Sequence, residues 1–220
     1  MVALEHASHY DMAPSQRLRL TAPLVLVLAL AAAAVFRTGF ALRGFSDNGV
    51  RFGTQLVWRF NSLVFFAALV AGPLGRMLPP LHLLADKSRP LLQGFCAAMA
   101  VYFAAILLPN LVATPDGIRP AGITAGMAFF VFFTGTVTAV LATAVNRTLC
   151  ARVGQKACRT MLGIGAIFFW LCYSLIGLAH ISGPHRPDSY YEISVILMLL
   201  ALLARFAEHF LHSWRRVPAA

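Results

Sequence analysis

Six apolar stretches, Ala22–Leu42, Thr54–Gly75, Leu91–Val112, Ala121–Ala144, Thr160–His180 and Glu192–His212, lie between polar or Pro/Gly-marked breaks. Each runs about 21 to 24 residues, which at a 1.5 Å rise crosses a hydrocarbon core of roughly 30 Å. Lipid offers a backbone amide no partner, so a spanning segment must be a helix or a strand of a closed barrel. The period-2 alternation of barrel strands is missing here. The pattern predicts an all-α polytopic membrane protein, six transmembrane helices in a bundle.

Composition points the same way. Only 12% of the 220 residues are charged, about half the usual quarter share, which is too little to cover a soluble globule. A mean hydropathy of +0.74 agrees. Disorder and a disulfide-stapled secreted domain are excluded. The formal charge of +10 then becomes a matter of topology rather than of nucleic-acid binding, and the lipid bilayer is the first partner.

Cytoplasmic loops carry the excess of Lys and Arg. One side collects Arg17, Arg19, Arg76, Lys87, Arg89, Arg147, Arg152, Lys156, Arg159, Arg215 and Arg216; the other has Arg43, Arg51, Arg119 and Arg186. This places both termini in the cytoplasm, in a cell inner membrane, with residues 1–20 a polar tail, 21–212 the membrane domain and 213–220 a basic stub. Arg17 and Arg19 before an apolar run ending at Ala31 to Ala34 imitate a secretory signal, but the long polar leader and the run beyond those alanines predict a retained first span. The expected topology leaves no soluble domain on either face. It also puts the sequon Asn146-Arg147-Thr148 inside, where it is a chance match.

Cys96, Cys150, Cys158 and Cys172 show no C-x-x-C and no paired spacing, so free thiols in reducing surroundings are expected. Arg59 with Asn61 near the outer end of the second span is the most expensive polar feature, because Arg within hydrocarbon costs several kcal/mol unless it snorkels or pairs. The simpler reading makes Arg59 a headgroup contact beside the interfacial anchor Trp58; the functional reading makes Arg59 and Asn61 a polar site. Arg37 reads as a headgroup contact too, and Arg205 with Glu208 as an i,i+3 pair. Gly122, Ala125, Gly126 and Gly135 in span four and Gly163 and Gly165 in span five are expected to let helices approach closely.

Histidine is the common haem ligand and proton carrier. His209 and His212 share a face at the cytoplasmic end of span six, while His180 ends span five on the outer side and His185 follows it; His82 lies in an inner loop, and His6 and His9 lie in the leader. A bis-histidine haem in mid-membrane needs histidines deep in two spans, and none of the seven is deep. The weak haem candidates are therefore His180, His209 and His212, and no metal site is predicted.

Trp58-Arg59-Phe60 followed by Ala71-Gly72-Pro73-Leu74-Gly75-Arg76 resembles the Thr-Pro-Leu-Arg-Arg-ended span of the ferric-reductase-like transmembrane family, in particular its methionine sulfoxide reductase haem-subunit branch. Arg89-Pro90-Leu91-Leu92-Gln93-Gly94 resembles that family's Arg-Arg-x-Leu-Gly-Leu start of span three. Leu141-Ala142-Thr143 through Val153-Gly154-Gln155-Lys156 is similar to the segment leading to its span-five haem helix, so the likeness runs roughly from Leu24 to Arg205. The resemblance implies haem-borne electron transfer across the bilayer. Where the family has its haem histidines, however, this chain has Phe103, Met161 and Ser174, and Ala157 replaces the pattern's Trp. Met161 is a haem ligand by type, but Phe103 and Ser174 provide no opposing one.

The leading expectation is thus a haem-less, non-enzymatic binding or accessory membrane component, working with a redox partner protein and without a cofactor. The first alternative is a membrane oxidoreductase holding haem through His180 outside, or through His82, His209 and His212 inside. The second is a small-solute transporter using Arg59 and Asn61, against which no span is broken by paired Gly/Pro in two matching halves.

Overall fold

The structure is a computed structural model and describes residues 14–44, 46–111, 125–182 and 188–214. Among these there are no strands. The helices are α1 (Pro14–Arg43), α2 (Asp47–Met77), the short α3 (His82–Ala85), which follows a single 3-10 turn, α4 (Ser88–Leu111), α5 (Ala125–Val145), α6 (Arg147–Val153), α7 (Gln155–Ile181) and α8 (Ser189–Trp214). Six of them, α1, α2, α4, α5, α7 and α8, are long and apolar enough to cross a membrane. The chain is therefore a multi-pass integral membrane protein by the length and composition of its helices.

The helices outrun the apolar stretches because their ends are made by capping rather than by hydrophobicity. At the start of α2 the Ser46 hydroxyl accepts from Gly49 N at 3.3 Å, so the helix begins well before Thr54. Asn146 caps α6 by accepting from the backbone N–H of Thr148 and Leu149 at 3.0 and 3.2 Å. α1 starts at Pro14, inside the expected polar tail. Proline at Pro90 falls in the first turn of α4, where its missing N–H costs nothing.

α1, α2 and α4 pack on one another, while α2, α8, α7, α5 and α4 touch in that cyclic order. α2 is the most buried span and α1 the least. Inside the ring Phe65 meets Phe95, Phe169 and Tyr173 at 5.0, 5.8 and 5.7 Å between ring centroids. Trp58 meets Tyr102, Phe130 and Tyr173 at 5.4, 5.8 and 4.6 Å. Val57, Phe65, Phe95, Met99, Leu141 and Phe169 have no exposed surface. The opposite faces carry bare apolar side chains, among them Phe132 at 74% and Phe206 at 64% exposure, as lipid-facing surfaces require. The hydroxyls of α5 are satisfied within the helix: Thr134 donates to Phe130 O at 2.6 Å and Thr138 to Thr134 O at 2.7 Å.

The closest helix approaches differ from those expected. Gly126 and Gly163 face open space, and Gly135 only just meets the Phe103 ring; Gly122 lies outside the described residues. Gly165 does sit against Leu141. A close backbone crossing that the sequence did not single out lies between α1 and α2, where a Cβ on Gly39 would clash with Gly53 Cα. Glycine content alone does not reveal which face of a helix turns inward, and span four turns its glycines partly toward lipid.

Candidate functional site

Three places gather polar side chains. The first joins Arg59 and Ser62 of α2 to the last turn of α7 and the first turn of α8. Arg59, projecting from α2, forms an ion pair with Asp188, the residue that precedes α8. Its guanidinium also lies over the rings of Tyr190 and Tyr191, 4.7 and 5.5 Å from their centroids. Tyr191 stacks on His180 from the last turn of α7, with centroids 4.0 Å apart and planes 13° from parallel. Ser62 hydrogen-bonds the Tyr190 hydroxyl and donates to Arg59 O at 2.8 Å. His180 Nδ1 is bonded to Ile176 O at 2.8 Å.

The Asp188 carboxyl is held below the usual carboxylate range, first by the Tyr190 backbone N–H, which reaches its Oδ1 at 3.1 Å, and then by Arg59. This cluster therefore holds the Asp188 side chain as a carboxylate at neutral pH, beside Arg59. It closes α8 against α2 and α7; the Arg59 charge that would meet an anionic solute is already matched by Asp188.

Asn61 is part of a different environment. Two residues further along α2 it points toward α4, fully buried, with its amide nitrogen 3.4 Å from Ala98 O and 3.2 Å from Met99 Sδ. Its Oδ1 and the Ser174 hydroxyl are buried without a hydrogen-bond partner among the described residues. Arg59 and Asn61 do not converge on one site. Phe103 is half-buried on α4, its ring 5.7 Å from that of Tyr102, and Ser174 is buried on α7.

The third gathering lies where the C-terminal parts of α2, α5 and α8 meet the start of α4. Arg76 from α2 pairs with Glu208 of α8, taking the carboxylate expected to serve Arg205. From α4, Arg89 Nε and Gln93 Nε2 both donate to Val145 O, at 2.8 and 3.0 Å, capping the C-terminus of α5. His82 is exposed and bonded through Nδ1 to Pro79 O at 3.0 Å; His209 is exposed on α8. The side chain of His212 and all of His185, His6 and His9 lie outside the described residues. Met161 is half-buried on α7, beside a shallow hollow at the α6–α7 joint that Gly154, Lys156 and Thr160 also line.

These placements keep the candidate haem ligands apart. His180 sits against Tyr191 in the first turn of α8, and His209 follows that tyrosine by a helical rise of about 27 Å. No group of three or more His, Cys, Asp or Glu side chains that would hold a metal ion occurs among the described residues. The Arg59–Asp188–Tyr190 arrangement was not legible in the sequence, since it joins positions well over one hundred residues apart. The one available signal was the expense of Arg59 itself, which required a partner somewhere.

Compared with known proteins, the chain matches no protein-family model, no curated protein and no solved structure.

Proposed function

We propose that the chain is a multi-pass inner-membrane protein with both termini cytoplasmic, which keeps a ferric-reductase-like scaffold without the haem path and serves as a binding or accessory component for a redox partner protein. The observation that carries this reading is the interior between α2, α4 and α7, which is filled by the rings of Trp58, Phe65, Phe95, Phe169 and Tyr173. A mid-membrane haem needs a ring-sized slot and two axial ligands facing each other across it. Rings in mutual contact fill that volume, and Phe103 and Ser174 stand where the resemblance would put ligands. The excess of Lys and Arg beside α3, α6 and the ends of α4 and α7 supports the topology. The resemblance in order and spacing supports the scaffold.

Absorption spectra of the detergent-purified protein, expressed with haem supply and taken before and after dithionite, test the reading. The expected result is a folded, colourless protein. Stoichiometric haem with a Soret band that shifts on reduction would overturn it and make His180 and His209 the first ligands to replace.

A further inference from the structure

Four thiols are free, and they are not equivalent. Cys96 and Cys172 lie along the membrane-spanning parts of α4 and α7. Cys150 and Cys158 flank the joint between α6 and α7, eight positions apart. That joint is a single residue, Gly154, with φ +102°, a backbone conformation that side chains with a Cβ resist. It ends α6 at Val153 and starts α7 at Gln155 without an intervening loop. The consequence is local: the buried Cys158 sulfur donates to Cys150 O at 3.6 Å, which sets it beside the residue that carries the second thiol. Arg147, Arg152, Lys156 and Arg159 surround the joint, and all four are exposed.

We propose that Cys150 and Cys158 form a reversible dithiol–disulfide site that exchanges electrons with small anionic disulfides of the glutathione class. Proximity is the first requirement of a disulfide, and the joint supplies it. Cys150, partly exposed, is the attacking thiol, and the cations around it attract a carboxylate-bearing disulfide. The Cys150 sulfur, having lost its proton to water, attacks one sulfur of the small disulfide. That S–S bond breaks, one small thiolate leaves and a mixed disulfide remains on Cys150. Cys158 then gives up its proton and attacks the Cys150 sulfur, expelling the second small thiolate. Two protein thiols have been oxidised to one disulfide by two electrons, one small disulfide has been reduced to two thiols, and the two released protons end on those thiols.

Thiol counting on the full-length protein tests the site. Detergent-purified protein is equilibrated in buffers of varied reduced to oxidised glutathione ratio, quenched in acid, denatured and tagged with a maleimide polymer that shifts the gel band once per thiol. The count should fall from the four free cysteines to two in a single step, with a Cys150–Cys158 linked peptide, and dithiothreitol should restore it. In a Cys158→Ser variant the reaction should stop at glutathione attached to Cys150. An unchanged count at every ratio, a stable mixed disulfide as the wild-type end product, or a linkage through Cys96 or Cys172 would overturn the proposal. The wild-type count decides the matter even if the variant does not fold.

Discussion

At the residue scale the most informative side chain is Arg59. A guanidinium on a helix long and apolar enough to cross a membrane needs either water or partners, and here it takes an ion pair and two ring faces together. Exposed ion pairs contribute about 0–1 kcal/mol, and a cation over a ring about 0.5–1 kcal/mol when exposed. Asp188→Asn is therefore expected to lower stability in detergent by less than Arg59→Gln, since the first leaves the tyrosine contacts standing; the second should cost about 1–2 kcal/mol. Thermal unfolding of the two variants gives the order. The Asp188 carboxyl titrates lower when folded than when unfolded, so its contribution is present at neutral pH and is lost as the pH falls through that depressed value. The wild-type advantage over Asp188→Asn should hold down to about pH 4 and fade only below it. An advantage that disappears well above that pH would contradict this account of Asp188.

The element scale separates what periodicity carries from what it does not. Length and apolarity in the sequence located all six long helices, because burial in lipid needs only a sufficient apolar run. Their ends were displaced, since Ser46 and the Gly154 joint are local hydrogen-bond and backbone features that hydropathy does not register. Helix faces were legible least of all. Gly53 packs so closely on α1 that an added Cβ would lie 2.7 Å from Phe36 O and 2.9 Å from the Phe36 ring, whereas at Gly126 it would meet nothing within 4 Å. Gly53→Ala should accordingly destabilise by about 1–3 kcal/mol through overpacking. Gly126→Ala should be neutral or stabilise by about 0.5–1 kcal/mol, because alanine suits a helix better than glycine. Unfolding of the two variants in the same detergent distinguishes the crossings; equal effects would contradict the α1–α2 contact. The Cys150–Cys158 pair belongs to this scale too. Eight residues of separation announce nothing until the helix break at Gly154 brings them together.

For the whole molecule, a ring of helices around an aromatic interior accounts for the sparse polar chemistry. The polar groups that remain fall into three places, Arg59 with Asp188, Tyr190 and Tyr191 beside His180, the buried Asn61 and Ser174 in the interior, and Arg89 on Val145 O with Arg76 on Glu208. The count of spans and the charge imbalance were readable from the sequence; the filling of the interior was not, because it depends on which of 17 phenylalanines face inward. Every functional assignment rests on the same arrangement, six crossings that return α3 and α6 to one face. Single cysteines in a cysteine-free background, probed with a membrane-impermeant maleimide on spheroplasts, measure it directly. Asn48→Cys and Glu192→Cys should label on intact spheroplasts, and Asp86→Cys and Thr148→Cys only after permeabilisation. Labelling of Asp86→Cys and Thr148→Cys from opposite sides, or of Asn48→Cys only after permeabilisation, would contradict the account.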